Sequence, residues 1–146
     1  MAFMVATWSK DPTKRVGAVV VTPDLRQLAI GYNGFPRGIA DEPERLSNAK
    51  TRLLLSVHAE RNAMDNATFP LIGATLYATY FPCHECVKSM VQRGIGRVVV
   101  PPRPKDKPAS KWTESWAVAE ELILEAGIDL DTYTTPNVFE EEEHPF

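Results

Sequence analysis

Only two cysteines occur among the 146 residues, Cys83 and Cys86, three positions apart. A disulfide scaffold for an extracellular fold uses more of them at wider spacing. The expectation is therefore a reducing setting, the cytoplasm, where both stay thiols. No run of about 18 apolar residues exists, so no apolar membrane-spanning helix is expected. The first residues carry no basic stretch leading into an apolar one, so no secretion leader is expected. Basic residues are not in excess. Sixteen Lys and Arg against 19 Asp and Glu give a formal charge of -3. That argues against a broad nucleic-acid-binding surface, although a pocket on an acidic chain can still be locally basic. What is present is ordinary for a soluble domain, 44% hydrophobic and 24% charged. The length suits one domain with a real core. The expectation is a catalytic unit over 1–139 and an acidic tail over 140–146.

The chain reads as alternating strands and helices. Met1 to Ser9 looks like the end of a packed helix. Val16–Val21, rich in β-branched residues, predicts a strand, and Gln27–Tyr32 predicts its hairpin partner across Thr22-Pro23-Asp24. Asn33 to Gly38 reads as a rigid loop, and Asp41–Ser47 as loop or short turn. Lys50–Asn66 is helical in pattern, with Leu53, Leu54, Val57, Ala63 and Met64 near one side and an irregular place before His58. Thr75–Thr79, Arg97–Val100 and Asp131–Thr134 predict strands. Cys83–Arg93 and Ala117–Ala126 predict helices, the latter stopped at Gly127. Helices between strands predict an α/β fold, a three-layer αβα sandwich around a central mixed five-stranded sheet.

Two short motifs carry chemistry: His58-Ala59-Glu60 and Pro82-Cys83-His84-Glu85-Cys86. His58, Cys83 and Cys86 make a three-ligand zinc set, and three protein ligands leave one coordination position open, as catalytic zinc requires. Both motifs fall at helix starts, where the dipoles favour thiolate and hydroxide. One bound Zn2+ would bring the pKa of water from about 15.7 toward roughly 7. Glu60, not a ligand, would take that water's proton and deliver it to a ring nitrogen and then to a departing amine. A His-x-Glu followed by Pro-Cys-x-x-Cys is the known signature of zinc nucleobase deaminases, so the assignment is a pattern match. The plainer alternative is a structural zinc, which needs a fourth protein ligand. His84 lies inside the Cys-x-x-Cys turn and is expected to point away.

With these motifs, and with Ser9-Lys10-Asp11-Pro12, Val16-Gly17-Ala18-Val19 and Gly31-Tyr32-Asn33-Gly34-Phe35-Pro36-Arg37-Gly38, the chain resembles the cytidine and deoxycytidylate deaminase superfamily. It is most similar to the deoxycytidylate (dCMP) branch, from about Ser9 to Val100. The resemblance implies a cytidine deaminase-like fold and hydrolysis of dCMP to dUMP and ammonia. It implies Asn33 as a contact to the sugar hydroxyl, although Asn33-Gly34 is equally a good turn former. It implies Ala59 backbone groups against the pyrimidine edge, and Thr79, Tyr80 and Phe81 as base-pocket walls. Arg37 is the basic candidate of the loop, for substrate phosphate or an effector. Other phosphate candidates are Ser9, Lys10, Lys14 and Arg15, each of which also reads as a solvated face. Some members respond to dCTP and dTTP, and the resemblance favours a homo-oligomer, a hexamer or a dimer.

The chain departs from that family after Val100. A tyrosine-bearing phosphate segment is replaced by the proline-rich, basic Pro101 to Pro108. Phosphate recognition could be rebuilt there with Arg103, Lys105 or Lys107, or Trp112 and Trp116 could frame another substrate. With both cysteines used, one zinc per chain is expected. Three alternatives stand beside dCMP deamination: a deaminase of another base, nucleoside or nucleotide; a deaminase of transfer RNA or single-stranded nucleic acid; and a non-enzymatic scaffold, to which Glu60 would be dispensable.

Overall fold

A computed structural model describes residues 1–104 and 111–134. Lys105, Lys107 and the expected tail over 140–146 lie outside the described residues. Gly17–Val21 (β1) and Leu28–Tyr32 (β2) form an antiparallel hairpin, register Val19↔Ile30. Its turn is held by Thr22 Oγ1 donating to Asp24 Oδ1 at 2.7 Å. Along its other edge β1 pairs antiparallel with Thr75–Ala78 (β3), register Ala18↔Ala78. β3 pairs parallel with Arg97–Val100 (β4), and β4 with Asp129–Thr132 (β5). The result is a mixed five-stranded sheet in the order β2-β1-β3-β4-β5.

Side chains alternate across a strand, so the registers sort the sheet into two faces. Ala29, Ala18, Val20, Leu76, Ala78, Val98 and Val100 share one face with Gly31, and all are buried. Onto them pack Ala59–Asn66 (α4), His84–Gln92 (α5) and Thr113–Glu125 (α6), through Ala63, Met64, Val87, Met90, Ala119 and Ile123. The other face receives Ala2–Ala6 (α1) over β1 and β2, where Val5 and Val19 are buried. Helices therefore flank both faces, heavily on one side and lightly on the other.

Four boundaries differ from the sequence expectation. Asp41–Ser47 holds a short helix, Pro43–Ser47 (α2), begun by a proline that suits a first helical turn. The run Lys50–Asn66 is two helices, Ala49–Leu55 (α3) and α4. Between them Val57 pairs with Gly34, donating at 2.8 Å and accepting at 3.1 Å, so this backbone leaves the helical path. On α3 the apolar pattern is also inverted: Leu53 and Leu54 are exposed and Arg52 is buried. α6 begins four residues before Ala117, with Trp112 as its N-cap. β5 begins at Asp129, directly after Gly127 (φ +72°) ends α6 and buried Ile128 turns the chain inward.

Gly31 sets how closely β2 approaches α4. A Cβ there would fall onto the Ala63 amide nitrogen and lie 2.5 Å from the Ala59 carbonyl oxygen, both rigid helix backbone. Gly31→Ala is expected to lower stability by about 3 kcal/mol, the upper end for overpacking. Gly34→Ala, whose Cβ would meet nothing nearer than 3.9 Å, is expected to stay within about 1 kcal/mol. Urea midpoints of the two variants check this; equal midpoints would show that α4 yields freely.

Candidate active site

α4 and α5 both begin at the same wall of the protein. His58 is extended (φ -68°, ψ 153°) and is the N-cap of α4. Cys83, also extended, is the N-cap of α5, and its Sγ accepts from the Cys86 amide. Pro82 precedes it and is fully buried, which fixes the entry of the chain into the helix. Cys86 follows one turn later on the same helix face. His58 Nδ1 lies 3.3 Å from Cys83 Sγ and 3.5 Å from Cys86 Sγ. The three donor atoms all lie within 4.8 Å of one another.

This set fits zinc. Zinc bonds of about 2.0–2.1 Å to imidazole and 2.3 Å to thiolate, at a tetrahedral angle, hold nitrogen and sulfur about 3.6 Å apart. Two thiolates and an imidazole are also a donor chemistry that suits it. Among the described residues this is the one such cluster, so the chain has a single His/Cys/Cys zinc site. His84 is not part of it: its Nδ1 meets Ser115 Oγ of α6 at 2.8 Å. The donors are charged unequally when no cation is bound. The hydrogen bond from the Cys86 thiol, helped by His58, holds Cys83 down at about 4. The Cys83 thiolate in turn pushes Cys86 up, with burial and Glu60 adding to it. His58 is raised, chiefly by its hydrogen bond to Cys83.

Glu60 stands in the first turn of α4 and is 4% exposed. Its Oε2 lies 3.8 Å from Cys86 Sγ. Desolvation pushes its carboxyl above the usual range, partly offset by a backbone hydrogen bond and by His58. A buried carboxyl beside the Cys86 thiol is costly in stability.

His58, Cys83 and Glu60 line a cavity of about 500 Å³, and Cys86 is buried behind them. Ala59, Tyr80 and Phe81 line it, and so does Asn33. Trp112 sets its ring edge-on to His58, centroids 6.2 Å apart, and Trp116 does the same to Tyr80 at 5.9 Å. Asn33 is also a brace: its Oδ1 accepts from Val16 N–H at 2.9 Å and its Nδ2 donates to the Lys14 carbonyl at 2.8 Å. Thr79 is outside the lining; its Oγ1 accepts from Gly17 N–H at 3.0 Å.

The basic candidates separate. Lys14 lines the cavity, with Nζ 2.9 Å from the Tyr80 ring centroid. Ser9 is buried outside it, its Oγ donating to the Asn33 carbonyl at 2.8 Å. Lys10 pairs with Asp41 at 3.0 Å on the surface, and Arg15 is exposed. Arg37 donates to Asn66 Oδ1 at 2.8 Å, and Arg103 pairs with Glu120 at 3.6 Å; neither lines the cavity. Sequence reasoning missed Asp11, Thr13, Arg52 and Lys111, all of which do. Asp11 sits in a quoted motif; Arg52 has no such signal.

The profile of the cytidine and deoxycytidylate deaminase zinc-binding region matches residues 1–101. An uncharacterized deaminase from the luxG 3′ region of Aliivibrio fischeri is 35% identical, covering 89% of this chain and 86% of its own length. The deoxycytidylate deaminase of Mycobacterium phage D29 is 45% identical, over 69% of this chain and 88% of its own. Animal relatives are longer, and the chain spans 54% of the Drosophila melanogaster protein and 59% of the human one. In fold it is similar to the dCMP deaminase of cyanophage S-TIM5 solved with dCMP and dUMP, with a TM-score of 0.66, 24% identity and 90% of each chain covered. A profile matched over most of the chain, a relative matched nearly end to end and a zinc donor set at the two helix starts lead to one conclusion: the chain belongs to the zinc-dependent cytidine and deoxycytidylate deaminase family.

Proposed function

We propose that the chain, acting as one catalytic unit, hydrolyses dCMP to dUMP and ammonia. The observation that carries this reading is the buried Glu60 carboxyl, 3.8 Å from Cys86 Sγ and lining the same cavity as His58 and Cys83. Zinc held by His58, Cys83 and Cys86 would supply Lewis acidity and a water acidic enough to be deprotonated near neutral pH. Glu60 would take a proton from the attacking water on a carboxylate oxygen and pass it to cytosine N3 as the C4–O bond forms, then carry the remaining hydroxyl proton to the amine as the C4–N bond breaks, leaving the uracil carbonyl and ammonia. Burial suits Glu60 to this, because a raised pKa makes its carboxylate a stronger base toward the water proton than an ordinary carboxylate. The Ala59 backbone at the start of α4 orients the pyrimidine edge, and Tyr80 and Phe81 exclude water from the ring faces. Asn33, fixed at both ends of its amide, presents the adjoining loop to the sugar.

Several finer points belong to the same reading. A homo-oligomer, dimer or hexamer, would cover Met4, Trp8, Leu28 and Tyr32, which are exposed around α1 and β2. The proposed setting is the cytoplasm, where the two thiols stay reduced; no helix among the described residues is long and apolar enough to cross a membrane. A free nucleotide is favoured over nucleic acid by the acidic chain.

The test is ammonia release from dCMP, CMP, deoxycytidine, dCTP, guanine and a transfer-RNA anticodon stem, with zinc-loaded protein. Turnover of dCMP well above the others is expected. Turnover of another compound with dCMP inert would replace the substrate. Added dCTP and dTTP test effector action in the same assay.

A further inference from the structure

We propose that Arg52 of α3, with Lys14 and Lys111 lining the same cavity, is its phosphate-selecting element, so that this chain favours a nucleotide over its nucleoside through these cations rather than through Arg37 or Arg103. The inference rests on the proposed dCMP reading and adds residues to it.

Arg52 is the unusual member. Its residue exposure is 9%, it lines the cavity, and it lies on a helix whose neighbouring leucines face solvent. Burying a guanidinium while exposing Leu53 and Leu54 reverses the ordinary preference, so the charge has a use inside. Its local bonds do not exhaust it. Nη1 donates to the Leu46 carbonyl, and Nε stands 3.7 Å from Asp11 Oδ2, too far for a hydrogen bond. No buried side-chain nitrogen or oxygen among the described residues lacks a partner, so the remaining donors of this group stay in contact with water. A guanidinium has five N–H donors in a planar fork that matches phosphate oxygens.

The surroundings are built to hold it. Asp11 is fixed from the other side, its Oδ1 accepting from Thr13 N–H at 2.8 Å and from Lys14 N–H at 2.9 Å. One carboxylate thus positions the Arg52 side chain and the backbone that carries Lys14. Lys14 and Lys111 stand over cavity aromatics, 2.9 Å from the Tyr80 centroid and 5.5 Å from that of Trp112. Three cations line the cavity against Asp11 and the catalytic Glu60, on a chain whose formal charge is -3. The cations outnumber those two carboxyls, and the positive excess attracts a dianionic phosphate but does nothing for an uncharged nucleoside. Arg37 and Arg103 face other partners outside the cavity and take no part.

The experiment compares kcat/KM for dCMP and deoxycytidine in wild type, Arg52→Gln, Arg52→Lys and Lys14→Met. The dCMP-to-deoxycytidine ratio is expected to fall about 10–100-fold in Arg52→Gln, the range for losing one hydrogen bond to a charged group. The loss should lie mainly in KM, with partial return in Arg52→Lys. Lys14→Met, a surface-reaching change, should lower the ratio by a smaller factor and covers the case in which Arg52→Gln does not fold. A parallel fall on both substrates, or an unchanged ratio in Lys14→Met when Arg52→Gln is unfolded, overturns the proposal. Calorimetric titration with dUMP separates the two readings. Wild-type protein that deaminates neither compound yet binds dUMP more tightly than Lys14→Met keeps the phosphate element and refutes the reaction. Turnover of both compounds with an unchanged ratio in every folded variant does the reverse.

Discussion

Glu60→Gln is expected to reduce kcat on dCMP by about 10⁴-fold, the upper end for one general acid–base group. The upper end applies because the same carboxyl serves successive proton transfers, and an amide can neither accept nor release a proton in this range. The substitution keeps size and shape. It also replaces a buried carboxyl with a neutral group, which costs less to desolvate. Glu60 is not one of the three donors, and its nearest approach to them is 3.8 Å from a thiol. Zinc content and thermal midpoint should therefore hold or rise. Ammonia release, zinc by atomic absorption and a thermal melt check the three parts. A variant keeping a tenth of the activity would remove Glu60 from the proton path.

Stripping the metal is the second large effect. Dialysis against a strong chelator is expected to take activity to background and to lower the thermal midpoint by on the order of 10 °C, with both restored by added zinc. The size follows from linkage: free zinc at about 1,000 times its dissociation constant stabilises by roughly 4 kcal/mol, and each kcal/mol moves the midpoint of a chain this size by about 3 °C. The structural reason is where the donors sit. His58 starts α4 and Cys83 starts α5, so the cation ties two helix ends otherwise joined by side-chain packing. Cys86→Ser should mimic the chelated state and resist rescue. Activity that survives the chelator would make the reaction metal-independent.

The zinc site was legible because it is local. Cys83 and Cys86 are one helical turn apart, so the turn alone brings their side chains together, and His58 and Glu60 both stand at one helix start. The strands were legible where β-branched residues run together, as in Val19-Val20-Val21 and Val98-Val99-Val100. The rest was decided at a distance. The irregular place expected before His58 is the break between α3 and α4, but its cause, Val57 pairing with Gly34, lies far off in sequence. Leu53 and Leu54 read as the packed side and Arg52 carried no signal, because periodicity records polarity and not which way a short helix is turned. Asn33 reads as a turn former or a sugar contact; it lines the cavity while its amide also bonds Val16 and Lys14. Arg37 shares the quoted loop with Asn33 yet turns to Asn66.

The register Ala18↔Ala78 has a consequence for how the chain assembles. The β1–β2 hairpin and the β3–α5–β4 unit are each built from neighbours in sequence and can form early. The antiparallel seam between β1 and β3 must instead close the long excursion that contains α2, α3, α4 and His58. Closing such a loop loses chain entropy before its contacts repay it. The two halves of the zinc site lie on opposite sides of that seam in folding order, Cys83 and Cys86 after it and His58 within it. Cysteines in a half-formed chain would then await their imidazole, and zinc supplied during refolding should speed the final phase more than the first.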